Sequence, residues 1–123
     1  MANILIVTDK TDLVPALEKK GHKLFYFTEK KQALDCARTQ PVGLAILDPD
    51  LIGLAGMAEL RQINPELRMM IVNHPPRLTT MRQAISLGVQ EILVEPLDLN
   101  ELESKVTKVL KATKRTLKEA IAL

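Results

Sequence analysis

Five short apolar segments recur along the chain, and each is followed by a stretch with helical spacing. The segments are Ile4–Val7, Lys23–Phe27, Leu44–Leu47, Met69–Val72 and Glu91–Val94. Short, β-branched, largely apolar runs are typical of strands buried on both faces of a parallel sheet. Strands that alternate with helices and connect by right-handed crossovers predict an α/β fold, a doubly wound five-stranded parallel sheet of the (βα)5 type.

The segments between the strands predict five helices. Their ranges are Thr11–Lys20, Glu29–Thr39, a helix that begins after Ala55 and runs to about Ile63, Thr79–Leu87, and a long last helix capped by Asp98. We expect Thr28 to cap the second helix and residues 48–55 to form a loop.

The composition fits one domain, 1–123, in a reducing compartment. The chain has 123 residues, of which 46% are hydrophobic, enough to bury a core. The single cysteine, Cys36, excludes an intrachain disulfide and a cysteine-based zinc cluster, and we expect it in the core. No signal peptide is visible, and no apolar run approaches the ~20 residues of a membrane span. We therefore expect a cytoplasmic protein without a membrane partner.

Two aspartates directly follow apolar runs, Asp9 near the first strand and Asp48 after the third. The carboxyl ends of parallel strands share one edge of the sheet, where open α/β sheets place their chemistry. Two such acids can share a divalent cation, and one can act as a nucleophile toward phosphorus. Carboxylates that merely cap the following helices fit the same pattern, so both roles stay open.

In order and spacing, several segments resemble the receiver domain of bacterial two-component response regulators, which has a flavodoxin-like fold. They are Ile4–Asp9, Leu44–Asp48, Gly56–Leu60, Ala84–Val89 and Glu95–Asp98, and the resemblance extends from Asn3 to about Leu110. It implies that a histidine kinase or phosphotransfer protein phosphorylates Asp48. It also implies a Mg²⁺ site built from an acid pair after the first strand, from Asp48 and from the backbone carbonyl of Asp50.

The metal site departs from the family pattern. Thr8 replaces the first acid of the pair, which leaves Asp9, Asp48 and Asp50 as the predicted ligands. A neutral hydroxyl is a poorer ligand than a carboxylate, so we expect weak Mg²⁺ binding, although the acidic side chain of Asp50 can partly compensate.

The phosphate-contacting positions depart as well. Asn73 replaces the usual Thr or Ser at the end of the fourth strand, and its amide can still donate a hydrogen bond. Glu95 replaces the lysine that pairs with the phosphoryl oxygens in the family, and it would repel Asp48 if the two carboxylates lie close together. Ile92 stands at the aromatic switch position, and Ile52 at the position of a loop proline.

These features predict a non-enzymatic receiver module with impaired Mg²⁺-dependent phosphorylation at Asp48. The alternative is a phosphorylation-independent pseudo-receiver, an adaptor that acts by protein–protein contact. A flavodoxin-like ligand-binding or enzyme domain is disfavoured, because Thr8-Asp9-Lys10-Thr11 is not a Gly-, Ser- or Thr-rich phosphate loop.

The last helix carries an apolar stripe longer than the sheet needs. It comprises Leu102, Val106, Val109, Leu110, Thr113, Leu117, Ala120 and Ile121. We expect the part up to Leu110 to pack on the sheet and 111–123 to form a helical extension, a linker or a fraying tail. A homodimer through this stripe and the fifth strand is predicted. The neighbouring lysines lack interleaved aromatic residues, so direct nucleic-acid binding is not expected.

Overall fold

Parallel strands and helices alternate throughout the structure, a computed structural model that describes residues 2–73 and 77–112. In these residues the strands are β1 (Asn3–Val7), β2 (Lys23–Phe27), β3 (Leu44–Leu47), β4 (Arg68–Asn73) and β5 (Val89–Val94). The helices are α1 (Leu13–Glu18), α2 (Lys30–Thr39), α3 (Pro49–Ile63), α4 (Leu78–Ser86) and α5 (Leu99–Lys111). The predicted α/β class is confirmed.

The sheet has the order β2-β1-β3-β4-β5, and all of its pairs are parallel. Successive side chains of a strand point to opposite faces. Leu5 and Val7 accordingly join a cluster with α2, α3 and α4, whereas Ile4 and Ile6 join a second cluster with α1 and α5. Helices therefore cover both faces, as the prediction of a doubly wound sheet requires.

The predicted loop over residues 48–55 is wrong, because α3 already begins at Pro49 with Asp48 as its N-cap. Proline suits the first position of a helix, where its missing N–H has no partner to lose. The helix is interrupted at Gly53, whose φ of 72° lies in the left-handed region. A short first turn thus precedes the main body of α3, and a pattern that contains both Pro49 and Gly53 reads as a loop.

The first two helices differ from their predicted ranges, α1 at both ends and α2 at its start. Turns such as Leu13 N–H to Lys10 O (3.3 Å) precede α1, so this helix begins later than Thr11 and ends at Glu18. Thr28 does not cap α2: the N-cap is Glu29, which makes no side-chain cap bond. Local spacing alone does not fix these ends, because fraying turns carry the same residue types as helix.

Arg61 of α3 connects its own helix to two further chain segments through hydrogen bonds. Its guanidinium donates hydrogen bonds to the backbone oxygens of Pro65 (3.0 Å) and Leu67 (2.6 Å). It also donates to those of Leu87 (3.0 Å) and Gly88 (3.4 Å), just after α4. Burial lowers the pKa of Arg61 from its ordinary value. Guanidinium has the donors needed to satisfy several carbonyls at once, so one side chain joins the ends of α3 and α4.

Helix α5 packs on the sheet as predicted. Leu102, Val106 and Val109 are buried in the same cluster as Ile4 and Ile6. Asp98 caps the helix by accepting from the N–H groups of Asn100 and Glu101. At the other end, Arg68 of β4 donates to the backbone oxygens of Val109 (2.5 Å) and Ala112 (2.9 Å). Thr113, Leu117, Ala120 and Ile121 of the predicted stripe lie outside the described residues.

Two further expectations concern the interior and the membrane. Cys36 is buried in the cluster that faces α3, as predicted, and burial raises the pKa of its thiol. No helix within residues 2–73 and 77–112 has the length and hydropathy that crossing a bilayer requires.

Candidate functional site

Thr8 and Asp48 lie side by side at the carboxyl edge of the sheet. Each directly follows a central strand, β1 or β3, and the backbone N–H of Asp48 donates to the carbonyl of Val7 (2.7 Å). Both are buried: Thr8 is 0% exposed and Asp48 4%. An acid held this far from water at the end of a central strand is the natural centre of a site in this architecture.

Asp48 also caps α3. Its Oδ1 accepts from the N–H of Asp50 (2.9 Å), and its carbonyl accepts from the N–H groups of Leu51 and Ile52. The capping role that the sequence left open is therefore real for Asp48. It does not hold for Asp9, because the N-cap of α1 is Asp12.

Asp9 points its carboxylate away from the interior. Its side chain is 62% exposed, and Oδ1 lies 4.0 Å from the ammonium of Lys10. The hydroxyl of Thr8 accepts a hydrogen bond from the backbone N–H of Lys10 (3.1 Å). Thr8 therefore shapes the turn after β1, and this turn places a cation next to the surviving acid.

Glu95 follows β5 and is paired with Lys10. The Lys10 Nζ lies 3.5 Å from Glu95 Oε2, with exposed fractions of 33% and 15% for the two side chains. The Glu95–Pro96 peptide bond is cis. The sequence pattern suggested repulsion between Glu95 and Asp48, and it did not predict Lys10 as the partner of Glu95. A basic residue in the loop after β1, at the edge shared with Glu95, was the available signal.

The remaining predicted positions lie on the expected elements. Asn73 is the last residue of β4, which ends at the same edge as β3. Ile52 is buried, and Ile92 packs against the same cluster under α3. Asp50 lies in the first turn of α3 and is exposed.

The donor set does not amount to a complete metal centre. In the part of the chain that the structure describes, no three His, Cys, Asp or Glu side chains come together as a group that could hold a metal ion. Asp48 and Asp9 are the acids that remain next to Thr8, whose buried side chain stands where the family has a carboxylate. The residues present therefore fit a Mg²⁺ ion only in part, with one carboxylate fewer than the family has, and the predicted ligand set of Asp9, Asp48 and Asp50 stays a prediction.

Comparison with known proteins agrees with the resemblance seen in the sequence. A family model described as the response regulator receiver domain matches residues 4–107. The transcriptional regulatory protein ZraR of Escherichia coli (strain K12) is 27% identical over 118 residues, which cover 90% of this chain and 27% of that protein. The chain thus spans about a quarter of the length of this relative.

Solved structures share the fold. A CheY-like receiver domain protein from Methanospirillum hungatei JF-1 superposes with a TM-score of 0.82 at 20% identity, covering 89% of this chain and 94% of that one. The receiver domain of sensor histidine kinase PA1611 from Pseudomonas aeruginosa PAO1 has a TM-score of 0.80 at 18% identity, covering 90% and 98%. That structure has a magnesium ion coordinated in its active-site cleft. At these identities the likeness concerns the fold, which is flavodoxin-like as predicted.

Proposed function

This chain belongs to the family of response regulator receiver domains, and we propose that it is a two-component signalling module whose phosphoacceptor is Asp48. The observation that carries this proposal is the burial of one carboxylate at the end of a central strand, the position of the family's phosphorylated aspartate. Receiver domains are signalling modules, and we propose that this one is not an enzyme. In the proposed step, an Asp48 carboxylate oxygen attacks phosphorus while the bond from phosphorus to the donor's leaving group breaks.

The proposal includes impaired phosphorylation. Phosphoryl transfer depends on cationic groups that neutralise charge on the equatorial oxygens. Glu95 brings a carboxylate instead of an ammonium, and Thr8 removes one metal ligand. We expect Mg²⁺ to bind weakly, with dissociation constants in the millimolar range, about those of oxygen sites with few charged ligands.

A histidine kinase or a phosphotransfer protein is the proposed partner, in keeping with the family. We also place the module in the cytoplasm and expect no direct nucleic-acid binding. Support for the last point comes from α5, where the ammonium groups of Lys105 and Lys108 each lie 3.6 Å from a carboxylate oxygen of Glu91. Lysines held by carboxylates are poorly placed to neutralise phosphates.

A second candidate is the pseudo-receiver, an adaptor whose contacts do not depend on phosphorylation. The Lys10–Glu95 ion pair favours it, because this internal pair already joins the loops after β1 and β5 without a phosphoryl group. The flavodoxin-like enzyme alternative has no such observation in its favour.

Acetyl phosphate with Mg²⁺, followed by intact-mass measurement, separates the two candidates. The proposal expects a minor species heavier by one phosphoryl group, present in the wild type and absent in Asp48→Asn. Asp12→Asn is the matched control, since it removes an exposed carboxylate that makes no side-chain cap bond, and it should keep the label on Asp48. Label that persists in Asp48→Asn would refute the assignment, and no label in any variant would favour the adaptor.

A further inference from the structure

The ion pair between Lys10 and Glu95 crosses the edge of the sheet where Asp48 lies. Lys10 follows β1 and Glu95 follows β5, and the order β2-β1-β3-β4-β5 places two strands between them. Neighbouring strands are about 4.8 Å apart, so three steps separate β1 from β5 by about 14 Å. The two side chains nonetheless approach to 3.5 Å. Their contact therefore extends across the ends of β3 and β4.

The cation at this edge comes from a different strand than in the family pattern. That pattern places carboxylates after the first strand and an ammonium before the proline that follows the fifth. Here an ammonium, Lys10, follows β1 and contacts Asp9 at 4.0 Å, whereas a carboxylate, Glu95, precedes Pro96. A base therefore follows β1 beside the remaining acid Asp9, an acid follows β5, and the two opposite charges attract each other.

We propose that Lys10 is the resident cation of the sheet edge where Asp48 lies and competes with a divalent metal ion for the carboxylate of Asp9. A Mg²⁺ ion that binds the Asp9 carboxylate must come close to the Lys10 ammonium, which lies 4.0 Å from that carboxylate. Two cations at such short range repel each other. Glu95 pairs with the same ammonium at 3.5 Å. Its side chain is only 15% exposed, so solvent screens this pair less than it screens a surface pair.

The proposal gives a physical reason for the weak Mg²⁺ binding expected of this site. Because Thr8 is neutral and Asp9 lies next to an ammonium, the protein already supplies part of the positive charge that a divalent cation would bring. The inference rests on the proposed function only in taking Asp48 as the centre of the site. It concerns metal affinity and ion pairing, whereas the proposed function concerns phosphoryl labelling, so either can fail alone.

The first test measures Mg²⁺ affinity by following the amide shifts of Asp9 and Asp48 in an NMR titration at constant ionic strength. Lys10→Met should bind Mg²⁺ about three- to fivefold more tightly than the wild type, as expected for removal of one partly screened charge. Lys20→Met is the matched control. It removes the same charge from an exposed lysine that pairs with Glu103 at 3.6 Å, and its Mg²⁺ affinity should not change.

The second test uses charge reversal and does not depend on metal. Lys10→Glu and Glu95→Lys should each lower the midpoint of urea denaturation, because each creates a like-charge pair. The double variant restores opposite charges and should recover most of the loss, as a double-mutant cycle detects. Unchanged Mg²⁺ affinity in Lys10→Met would overturn the proposal. So would strictly additive losses in the double variant, which would show that the pair carries no coupling.

Discussion

Asp48 uses one carboxylate both to end a buried strand and to begin a helix. Its Oδ1 accepts from the N–H of Asp50, so a change at this position affects α3 as well as the site. Asparagine is as good an N-cap as aspartate, whereas alanine costs about 1 kcal/mol. Loss of label in Asp48→Asn would therefore report chemistry, and the same loss in Asp48→Ala would mix chemistry with helix stability.

Glu95→Lys should increase labelling by acetyl phosphate. It places an ammonium at the position where the family has one, and a cation pairs with phosphoryl oxygens through charge-assisted hydrogen bonds. The same change should lower the free energy of unfolding by roughly 1 kcal/mol, because it sets two ammonium groups against each other. Intact mass and urea denaturation measure the two effects.

A matched control is Glu91→Lys, which reverses the charge of a partly buried carboxylate within β5 that has two lysine partners. It should reduce stability without raising the label. Equal labelling in Glu95→Lys and the wild type would leave Thr8 or Asn73 as the limiting position.

His22 should make stability depend on pH. The N–H of Ala2 donates to His22 Nδ1 at 3.1 Å, which requires that nitrogen to be unprotonated. Burial, together with the charge of the N-terminus, lowers the pKa of His22 from 6.5. The unfolded chain therefore binds the proton more readily, so this contribution is present above the unfolded pKa and is lost as the pH falls below it.

Urea denaturation of the wild type and of His22→Gln at about pH 7.5 and about pH 5 tests this pH dependence of stability. The wild type should lose more stability than the variant between these conditions, by less than about 1 kcal/mol for a partly exposed ring. An equal loss in both proteins would contradict the expectation.

At the scale of elements, the strands were predictable because their apolar runs must be buried. All five predicted strands exist, and β3 has its predicted ends at Leu44 and Leu47. Helix starts were less predictable, as Pro49 and Gly53 show, because a helix turn followed by a left-handed glycine has the composition of a loop. The position of Asp48 followed from its strand. The Lys10–Glu95 contact did not, since it depends on how two loops distant in sequence converge.

Arg61→Ala should be among the more destabilising changes outside the apolar core. Its guanidinium satisfies carbonyls after α3 and after α4, and removing it leaves partly buried acceptors without that donor. A loss of about 2–3 kcal/mol in the free energy of unfolding is expected. Urea denaturation measures it, and Arg61→Lys should recover part of the loss at most, because an ammonium lacks the planar fork.

Arg38→Ala is the control for this prediction. Arg38 is an exposed arginine of α2 that pairs with Asp35 and Glu59, and its removal should cost less than about 1 kcal/mol. Similar costs for the two arginines would show that the carbonyl contacts of Arg61 contribute little.

At the scale of the whole molecule, we predict self-association through α5, its continuation and the face of β5. Val94 and Leu99 are exposed apolar residues near this face. The stripe of α5 continues in sequence to Leu117 and Ile121, after the part that packs on the sheet. Sedimentation of the full chain at high concentration should give a dimer, and a chain truncated after Ala112 should give a monomer.

Truncation after Ala112 keeps the backbone oxygen that accepts from Arg68, so the end of α5 stays anchored. Full-length chains with Leu117→Glu and Ile121→Glu provide a second comparison without truncation, and they too should be monomers. A monomeric wild type would rule out the dimer, and a dimeric truncated chain would move the contact away from the stripe.

The sheet lies between the two apolar clusters, so a substitution in one cluster should not alter the stability loss caused by a substitution in the other. Ile52 belongs to the cluster under α3, and Leu102 and Val106 belong to the one under α5. Stability losses from Ile52→Val and Val106→Ala should add to within about 0.5 kcal/mol, because the two sites share no neighbours. Leu102→Val combined with Val106→Ala, one helix turn apart, should depart from additivity by more. Thermal and urea denaturation of the five variants and the wild type would show whether each face of this receiver can drift in evolution while the other stays fixed.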